Sequence, residues 1–257
     1  HTDHQNGMVL ATSINLDAIA IVAKAEEPVI RLVSGDFPME EVDVADLSMK
    51  EEEQSTTTAL IRGVAAGMKE RGHKVGGFTA YITSDVLMGA GMSSSAAFES
   101  LIGTILSGLY NDMKVSSIEI AQIGQYAENI YFGKPCGLMD QMACSVGGMI
   151  FIDFKEKEHP EVRQVHTDFE KAGLSLCIVD TKGSHADLTP DYAAVPAEMN
   201  QVAQALGREH LREVPRETFF KELPKLWKET SGRAVLRAIH FYEEEERVLR
   251  GVKSLEE

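Results

Sequence analysis

Residues 88–97 read Met-Gly-Ala-Gly-Met-Ser-Ser-Ser-Ala-Ala and join a strand-like segment to a helical one. An alternating segment from Phe78 to Thr83 precedes them and predicts a strand, and apolar residues at helical spacing from Ala96 to Leu109 follow them. Glycines let the backbone approach a ligand, and the first N–H groups of a helix lack intrahelical partners. Strand, glycine loop and helix N-terminus together predict an anion site that suits phosphate. The alternative is a serine N-cap on a helix after a flexible turn.

Helical and strand-like patterns interleave along the rest of the chain, which predicts an α+β or α/β protein, with α+β as the first expectation. We expect two or three strands within 8–34, a helix from Ser55 closed by Gly72, a helix over Ser117–Tyr131, and strands over Met149–Asp153 and Leu174–Asp180.

The polar stretch from Asp153 to Lys171 predicts a surface hairpin and an inter-domain connection. We therefore place a boundary near Gly173, which gives domains over 1–172 and 173–257. The second domain is predicted to be helical, and the run Glu243–Glu246 is expected to be a solvated helix face. Its first helix presents a core face closed by a glycine, made of Val195, Met199, Val202, Leu206 and Gly207.

Composition narrows the class of partner. The 257 residues carry a formal net charge of -15, which disfavours nucleic acid and anionic membranes and leaves a small molecule as the expected partner. An anionic ligand would then need local positive potential from backbone N–H groups, a few basic side chains and a metal ion. The three cysteines lack metal-ligand spacing, so we expect no disulfide framework and a cytoplasmic protein. No apolar run reaches the roughly 18 residues needed to cross a bilayer.

Two acidic residues suggest the chemistry. Glu128 lies on a predicted helix, and Asp140 follows a turn in the segment Gly133-Lys-Pro-Cys-Gly-Leu-Met-Asp-Gln141. Such a pair could supply a magnesium ligand and a general base for phosphoryl transfer. The alternatives are an exposed helix charge for Glu128 and a helix N-cap for Asp140.

The opening segment His1-Thr-Asp-His-Gln-Asn-Gly7 clusters polar side chains on a turn before a strand. This pattern suits hydrogen bonding to a polyol, whose buried hydroxyls need donors and acceptors. The alternative is a structural Asx turn closed by Asn6 and Gly7, which spacing alone favours.

Taken together, these segments resemble the galactokinase branch of the GHMP kinases, named for galacto-, homoserine, mevalonate and phosphomevalonate kinases. The matching residues are His1-Thr2-Asp3 with Asn6-Gly7, Gly89 to Ala97, Glu128, Cys136 to Gln141, and Val179-Asp180-Thr181 with Ser184, His185 and Tyr192. The resemblance implies a ribosomal protein S5 domain 2-like N-terminal domain and a ferredoxin-like C-terminal domain that is incomplete here.

The resemblance also implies a role for each matched residue. Asp140 would be the base toward the anomeric hydroxyl, and Ser95 and Glu128 would hold Mg²⁺. The phosphates of ATP would lie on the loop of Gly89, Ala90, Gly91, Met92, Ser93, Ser94 and Ser95. The sugar would be bound by His1, Asp3, Gly137, Asp140 and Tyr192.

Galactose is the expected substrate, with galacturonate or N-acetylgalactosamine as alternatives, because His4-Gln5 and Ala193 to Pro196 depart from the family pattern. A galactokinase-like sugar sensor that transfers little phosphate is an alternative from another class. Other GHMP branches are disfavoured by the opening turn and the Cys136 to Gln141 segment. We expect a monomer or weak homodimer. Because the family's upstream Arg and Glu and its glycine-rich third motif are absent, we expect the full-length protein to extend beyond both ends.

Overall fold

The computed structural model describes residues 2–35, 37–86, 91–179 and 189–257. Within these ranges the elements are, in chain order, β1 (Met8–Thr12), β2 (Ala18–Lys24), β3 (Val29–Ser34), β4 (Glu40–Asp43), α1 (Thr57–Glu70), β5 (Phe78–Ser84), α2 (Ser94–Tyr110), α3 (Ser117–Tyr126), a π-helical segment (Ala127–Phe132), α4 (Met139–Val146), β6 (Met149–Asp153), β7 (Glu161–Gln164), α5 (Thr189–Ala205), α6 (Arg216–Glu229) and α7 (Gly232–Glu256). The α+β class predicted from the sequence is confirmed. No helix in these ranges is both long and apolar enough to cross a bilayer.

The chain divides into two compact units, which are described separately. Unit 1 comprises His1–Thr12 and Gly148–Glu257, and unit 2 comprises Ser13–Gly147. The units differ from the domains predicted with a boundary near Gly173. Strand β6 pairs with β1 along its whole length and so joins the two chain segments of unit 1. The predicted division into 1–172 and 173–257 therefore stays a prediction.

Unit 2 is built on a four-stranded sheet in the order β2-β5-β3-β4. Strand β5 runs antiparallel to β2 and parallel to β3, with Phe78 opposite Ile30 and Ala80 opposite Leu32. These side chains are buried, whereas alternate residues such as Thr79 and Tyr81 are exposed, as the alternation of the sequence predicts. The buried face packs with α1, α2 and α3 into the core of the unit.

Helix α1 approaches the π-helical segment closely. It begins at an N-cap, where Thr56 Oγ1 accepts from the Ala59 N–H, and ends before Gly72 at φ 85°. A Cβ on Gly63 would lie 2.8 Å from Cα of Ala127, so the contact requires glycine. The predicted helix over Ser117–Tyr131 is therefore corrected. It is α-helical to Tyr126 and then widens where α1 packs against it.

Unit 1 combines the antiparallel sheet β1-β6-β7 with α5, α6 and α7. The hairpin expected after Asp153 is present, since β7 pairs with β6. In α5, Met199 and Val202 are fully buried, which confirms the predicted core face, and Gly207 follows at φ 70°.

Two predictions in unit 1 are wrong. Residues 174–179 form no strand within the described part of the chain, and Leu174, Leu176 and Ile178 are exposed. An apolar segment forms a strand only when a neighbouring strand pairs with its backbone. The Glu243–Glu246 run is not uniformly solvated. Glu245 is buried, pairs with Arg212 and accepts from the Met8 N–H at 2.5 Å.

Candidate active site

The glycine loop meets α2 with an uncapped first turn. Gly91 and Ser93 lie in the left-handed region at φ 74° and φ 55°, which is strained for a serine. Ser93 is the N-cap of α2, yet its side chain caps no N–H group. A serine therefore occupies the N-cap position, as the alternative expects, but it makes no side-chain capping bond, so the first-turn N–H groups have no acceptor from Ser93. Of the predicted loop, Gly91 to Ser95 are described, whereas Gly89 and Ala90 lie outside the described residues.

Ser93 instead contacts the candidate base. Its Oγ donates to Asp140 Oδ2 at 2.7 Å. Asp140 is the second residue of α4, whose N-cap is Leu138, so the N-cap alternative for Asp140 is also wrong. Asp140 is exposed. Its carboxylate is thus accessible to a hydroxyl and is oriented by a serine at the start of α2.

Glu128 lies on the π-helical segment and is buried, with a side chain only 3% exposed. The alternative of an exposed helix charge is therefore wrong. Its Oε1 accepts from Ser95 Oγ at 3.0 Å and lies 3.1 Å from Lys134 Nζ. Burial lowers the pKa of Lys134, but the Glu128 carboxylate outweighs this effect and the pKa is raised overall, so Lys134 is a cation at neutral pH.

The Ser95 and Glu128 oxygens fit a magnesium ion. Two oxygens bound side by side to one octahedral Mg²⁺ at about 2.1 Å lie about 3 Å apart, which matches their separation. In the part of the chain that the structure describes, no group of three or more His, Cys, Asp or Glu side chains is arranged to hold a metal. We expect phosphate oxygens and water to supply the remaining ligands, as is usual for Mg²⁺ with nucleotides.

Behind these residues lies a buried polar cluster that sequence reasoning missed. One amide nitrogen, Gln141 Nε2, donates to Glu128 Oε2 at 2.9 Å and to Glu99 Oε2 at 3.1 Å. Glu99 is fully buried, and its pKa is raised to about 8, first by burial and second by the charge of Glu128. Glu99 Oε1 and Gln141 Oε1 have no hydrogen-bond partner among the described residues.

The sequence did carry a signal for Glu99. It is four residues after Ser95, on the predicted helix face that otherwise holds Phe98 and Ile102. An acidic residue on an apolar face needs a hydrogen-bonding partner or a proton, so its position alone indicates a paired or protonated carboxyl group.

The two cysteines beside the cluster are not poised as nucleophiles. Burial is the main factor that raises the pKa of Cys136, and the charge of Glu128 adds to it. Burial likewise raises the pKa of Cys144 to about 12. Both thiols are therefore protonated at neutral pH, which makes them weak nucleophiles.

The predicted sugar-binding residues fall in different parts of the chain. Gly137 lies in unit 2, three residues before Asp140, and is half-buried. Asp3 lies in unit 1 on a short 3-10 turn closed by Asn6 at φ 56°, and its Oδ1 accepts from the His4 N–H. Tyr192, on α5, is 60% exposed. His1 lies outside the described residues.

Gln5 belongs to the framework of the opening turn. It is fully buried, its Nε2 donates to Asn200 Oδ1 at 2.5 Å, and its Oε1 accepts from the Leu211 N–H at 2.9 Å. The turn is therefore partly structural, and Asn6 closes it through its backbone N–H, which donates to the Asp3 carbonyl oxygen.

Comparisons with known proteins agree on one family. A family model described as GHMP kinases N terminal domain matches residues 59–148. The chain is similar to a galactokinase of Streptomyces coelicolor, with 32% identity over 259 residues that cover 100% of this chain and 65% of the relative. It is also similar to a galactokinase of Thermotoga petrophila, with 30% identity over 100% of this chain and 68% of the relative.

Solved structures show the fold. A galactokinase of Lactococcus lactis complexed with galactose matches with a TM-score of 0.79 and 23% identity over 99% of this chain and 66% of that chain. A mevalonate kinase of Methanococcus jannaschii matches with a TM-score of 0.56 and 15% identity over 98% of this chain and 75% of that chain. The chain spans 65% of the length of the Streptomyces coelicolor relative.

Proposed function

Because the chain belongs to the galactokinase branch of the GHMP kinases, we propose that it carries the active site of an ATP-dependent sugar kinase. The reaction transfers the γ-phosphoryl group of ATP to the anomeric hydroxyl of galactose or a close relative. The relatives named galactokinase support this reaction class.

One observation carries the proposal. The start of α2 bonds to both candidate carboxylates of unit 2, because Ser93 donates to Asp140 at 2.7 Å and Ser95 donates to Glu128 at 3.0 Å. The helix N-terminus that we assign to phosphate thus lies beside an accessible carboxylate and a buried one. A structural turn would not require this arrangement.

The two carboxylates have separate tasks in the proposed mechanism. Asp140 accepts the proton of the sugar hydroxyl as the oxygen of that hydroxyl attacks the γ-phosphorus of ATP, and the bond from this phosphorus to the β,γ-bridging oxygen breaks to release ADP. Ser93 Oγ orients the accepting carboxylate. The uncapped N–H groups of α2 hold the phosphate chain in line. Ser95 and Glu128 would hold Mg²⁺, which neutralises phosphate charge when bound.

Substrate recognition rests on the family resemblance. We assign His1, Asp3, Gly137 and Tyr192 to the sugar hydroxyls, and the loop from Gly89 through Ala90 to Ser95 to the phosphates. Galactose is the first candidate, and galacturonate and N-acetylgalactosamine are the alternatives. A sugar sensor remains a second function, although the serine and carboxylate pairs required for transfer are intact.

The test uses the full-length protein and follows ADP release with each of the three sugars. One sugar should stimulate release, whereas a sensor would bind ATP and sugar without releasing ADP. Asp140→Asn should keep ATP affinity and lose at least about 100-fold in kcat, since an amide cannot accept the proton. The matched control is Asp112→Asn, whose side chain is 85% exposed on the surface of the same unit. A folded Asp140→Asn protein within about threefold of the parent rate would remove Asp140 from the mechanism.

A further inference from the structure

Lys134 brings a cation to the edge of the candidate site. Its Nζ lies 3.1 Å from Glu128 Oε1, the same oxygen that accepts from Ser95 Oγ. The Glu128 side chain is 3% exposed and the Lys134 side chain is 47% exposed. The ammonium group therefore connects a buried carboxylate with the solvent side of the site.

The backbone at Lys134 is held in place although its side chain is half exposed. Gly133 turns the chain at φ 84°, and the Lys134 N–H donates to the Glu128 carbonyl oxygen at 3.1 Å. The flexible four-carbon stem thus starts from a fixed point at the end of the π-helical segment. An ammonium group has three donors, so it can bond to Glu128 and to a second acceptor.

The charges around Lys134 favour a nucleotide phosphate group as that second acceptor. Glu128 and Asp140 both interact electrostatically with Lys134, and the ion pair with Lys134 is the one that Glu128 makes among the described residues. A nucleotide adds several negative charges to this pair of carboxylates, in a chain of net charge -15. A cation bonded to Glu128 that also interacts electrostatically with Asp140 offsets that repulsion.

We propose that Lys134 is a phosphate-contacting residue whose ammonium group binds the β- and γ-phosphate oxygens of the nucleotide while it shares the Glu128 carboxylate with the metal ion. This inference rests on the proposed function. Two cations that share Glu128 Oε1 repel each other, so Lys134 opposes metal binding at this oxygen and favours nucleotide binding. Its removal should therefore change the two affinities in opposite directions.

The competing role for Lys134 is an ion pair that only orients Glu128. In that case its removal would leave metal-free nucleotide binding unchanged and would weaken the contribution of the metal. The sign of the change in the metal contribution therefore separates the two roles.

The experiment measures ATP and AMP binding by calorimetry, in EDTA and in Mg²⁺, for the parent, Lys134→Met and Lys134→Arg. In EDTA, Lys134→Met should weaken ATP binding by about ten- to a hundredfold, the usual effect of a hydrogen bond to a charged group, and leave AMP binding unchanged. The ratio of the ATP dissociation constant in EDTA to that in Mg²⁺ should rise. Lys134→Arg keeps the charge and should restore most of the ATP affinity.

The matched control is Lys114→Met, since Lys114 is 80% exposed on the same unit. Unchanged ATP binding in EDTA, an equal loss for ATP and AMP, or a ratio that falls or stays constant would each overturn the inference. If circular dichroism shows that Lys134→Met is unfolded, Lys134→Gln is measured in the same way. A parent protein that binds no ATP defeats the proposed function itself. A parent that binds ATP and phosphorylates a sugar, with Lys134→Met equal to it, defeats this inference alone.

Discussion

The buried Glu99 carboxyl group should make the stability of the protein depend on pH in a window set by its pKa. Burial, and then the charge of Glu128, raises the pKa of Glu99 from 4.5 to about 8. Glu99 is therefore protonated in the folded protein at neutral pH, while the same side chain is ionised in the unfolded chain. Folding in this range takes up a proton.

The sign of the pH dependence follows from this uptake. The stability that comes with the proton is fully present below about pH 4.5 and is lost as pH rises to about 8. One proton changes the free energy of unfolding by at most about 1.4 kcal/mol per pH unit. Between pH 5.5 and 7.5 the contribution of Glu99 should therefore fall by about 2–3 kcal/mol.

Glu99→Gln tests this prediction, because glutamine has a similar shape and no titrating proton. The free energies of unfolding of parent and variant should converge toward low pH, and the variant should gain on the parent as pH rises. The control is Glu52→Gln, an exposed position in the same unit, which should leave the slope of the parent unchanged.

The assay must report on unit 2. Trp227, the single tryptophan of the sequence, lies on α6 in unit 1, so its fluorescence reports on that unit. Denaturant titrations in EDTA should be followed by circular dichroism, with amide hydrogen exchange of α2 as the local probe. Curves for parent and Glu99→Gln that stay parallel from pH 5.5 to 7.5 would show that Glu99 is not protonated in the fold.

Two further substitutions test glycines of unit 2, one in the predicted phosphate loop and one in helix α1. Gly91→Val places a β-branched residue at φ 74°, where it is strained by about 1–2 kcal/mol, but its Cβ would meet no atom of the described residues within 4 Å. The fold should survive this local strain, and ATP binding should weaken by about tenfold or more. Calorimetry showing unchanged affinity would make the loop merely structural. Gly63→Ala places a Cβ 2.8 Å from Ala127 and should lower the free energy of unfolding by about 1–3 kcal/mol. The control is Gly108→Ala, whose Cβ would meet only the flexible Met113 sulfur, at 3.1 Å, among the described residues and should cost less. Equal stability losses in the two variants would contradict this difference.

The sequence predicted the elements whose pattern is local. Strands β5 and β6 and helices α1 and α2 follow from apolar spacing and lie within two residues of the predicted bounds. Glu128 and Asp140 are residue types that suit phosphoryl transfer, and the family resemblance adds Ser95 to them. The structure places Ser95 against Glu128 and orients Asp140 through Ser93.

What the sequence did not predict depends on neighbours distant in the chain. The π-helical segment arises where α1 approaches through Gly63, and the burial of Glu245 depends on Arg212 and on the Met8 backbone. Residues 174–179 have a strand-like composition, but no strand among the described residues pairs with them. Spacing within one segment contains no information about such contacts.

Ser93 and Ser95 connect the proposed phosphate site with the proposed base. Ser93 lies before α2 in a left-handed conformation and bonds to α4, whereas Ser95 lies in the first turn and bonds to the π-helical segment. Only one residue, Ser94, separates them, so the N-terminus of α2 cannot shift toward one carboxylate without changing its distance to the other. A phosphate chain that fixes this N-terminus therefore also fixes Asp140 relative to Glu128, and we expect nucleotide binding to order the base before the sugar hydroxyl reacts.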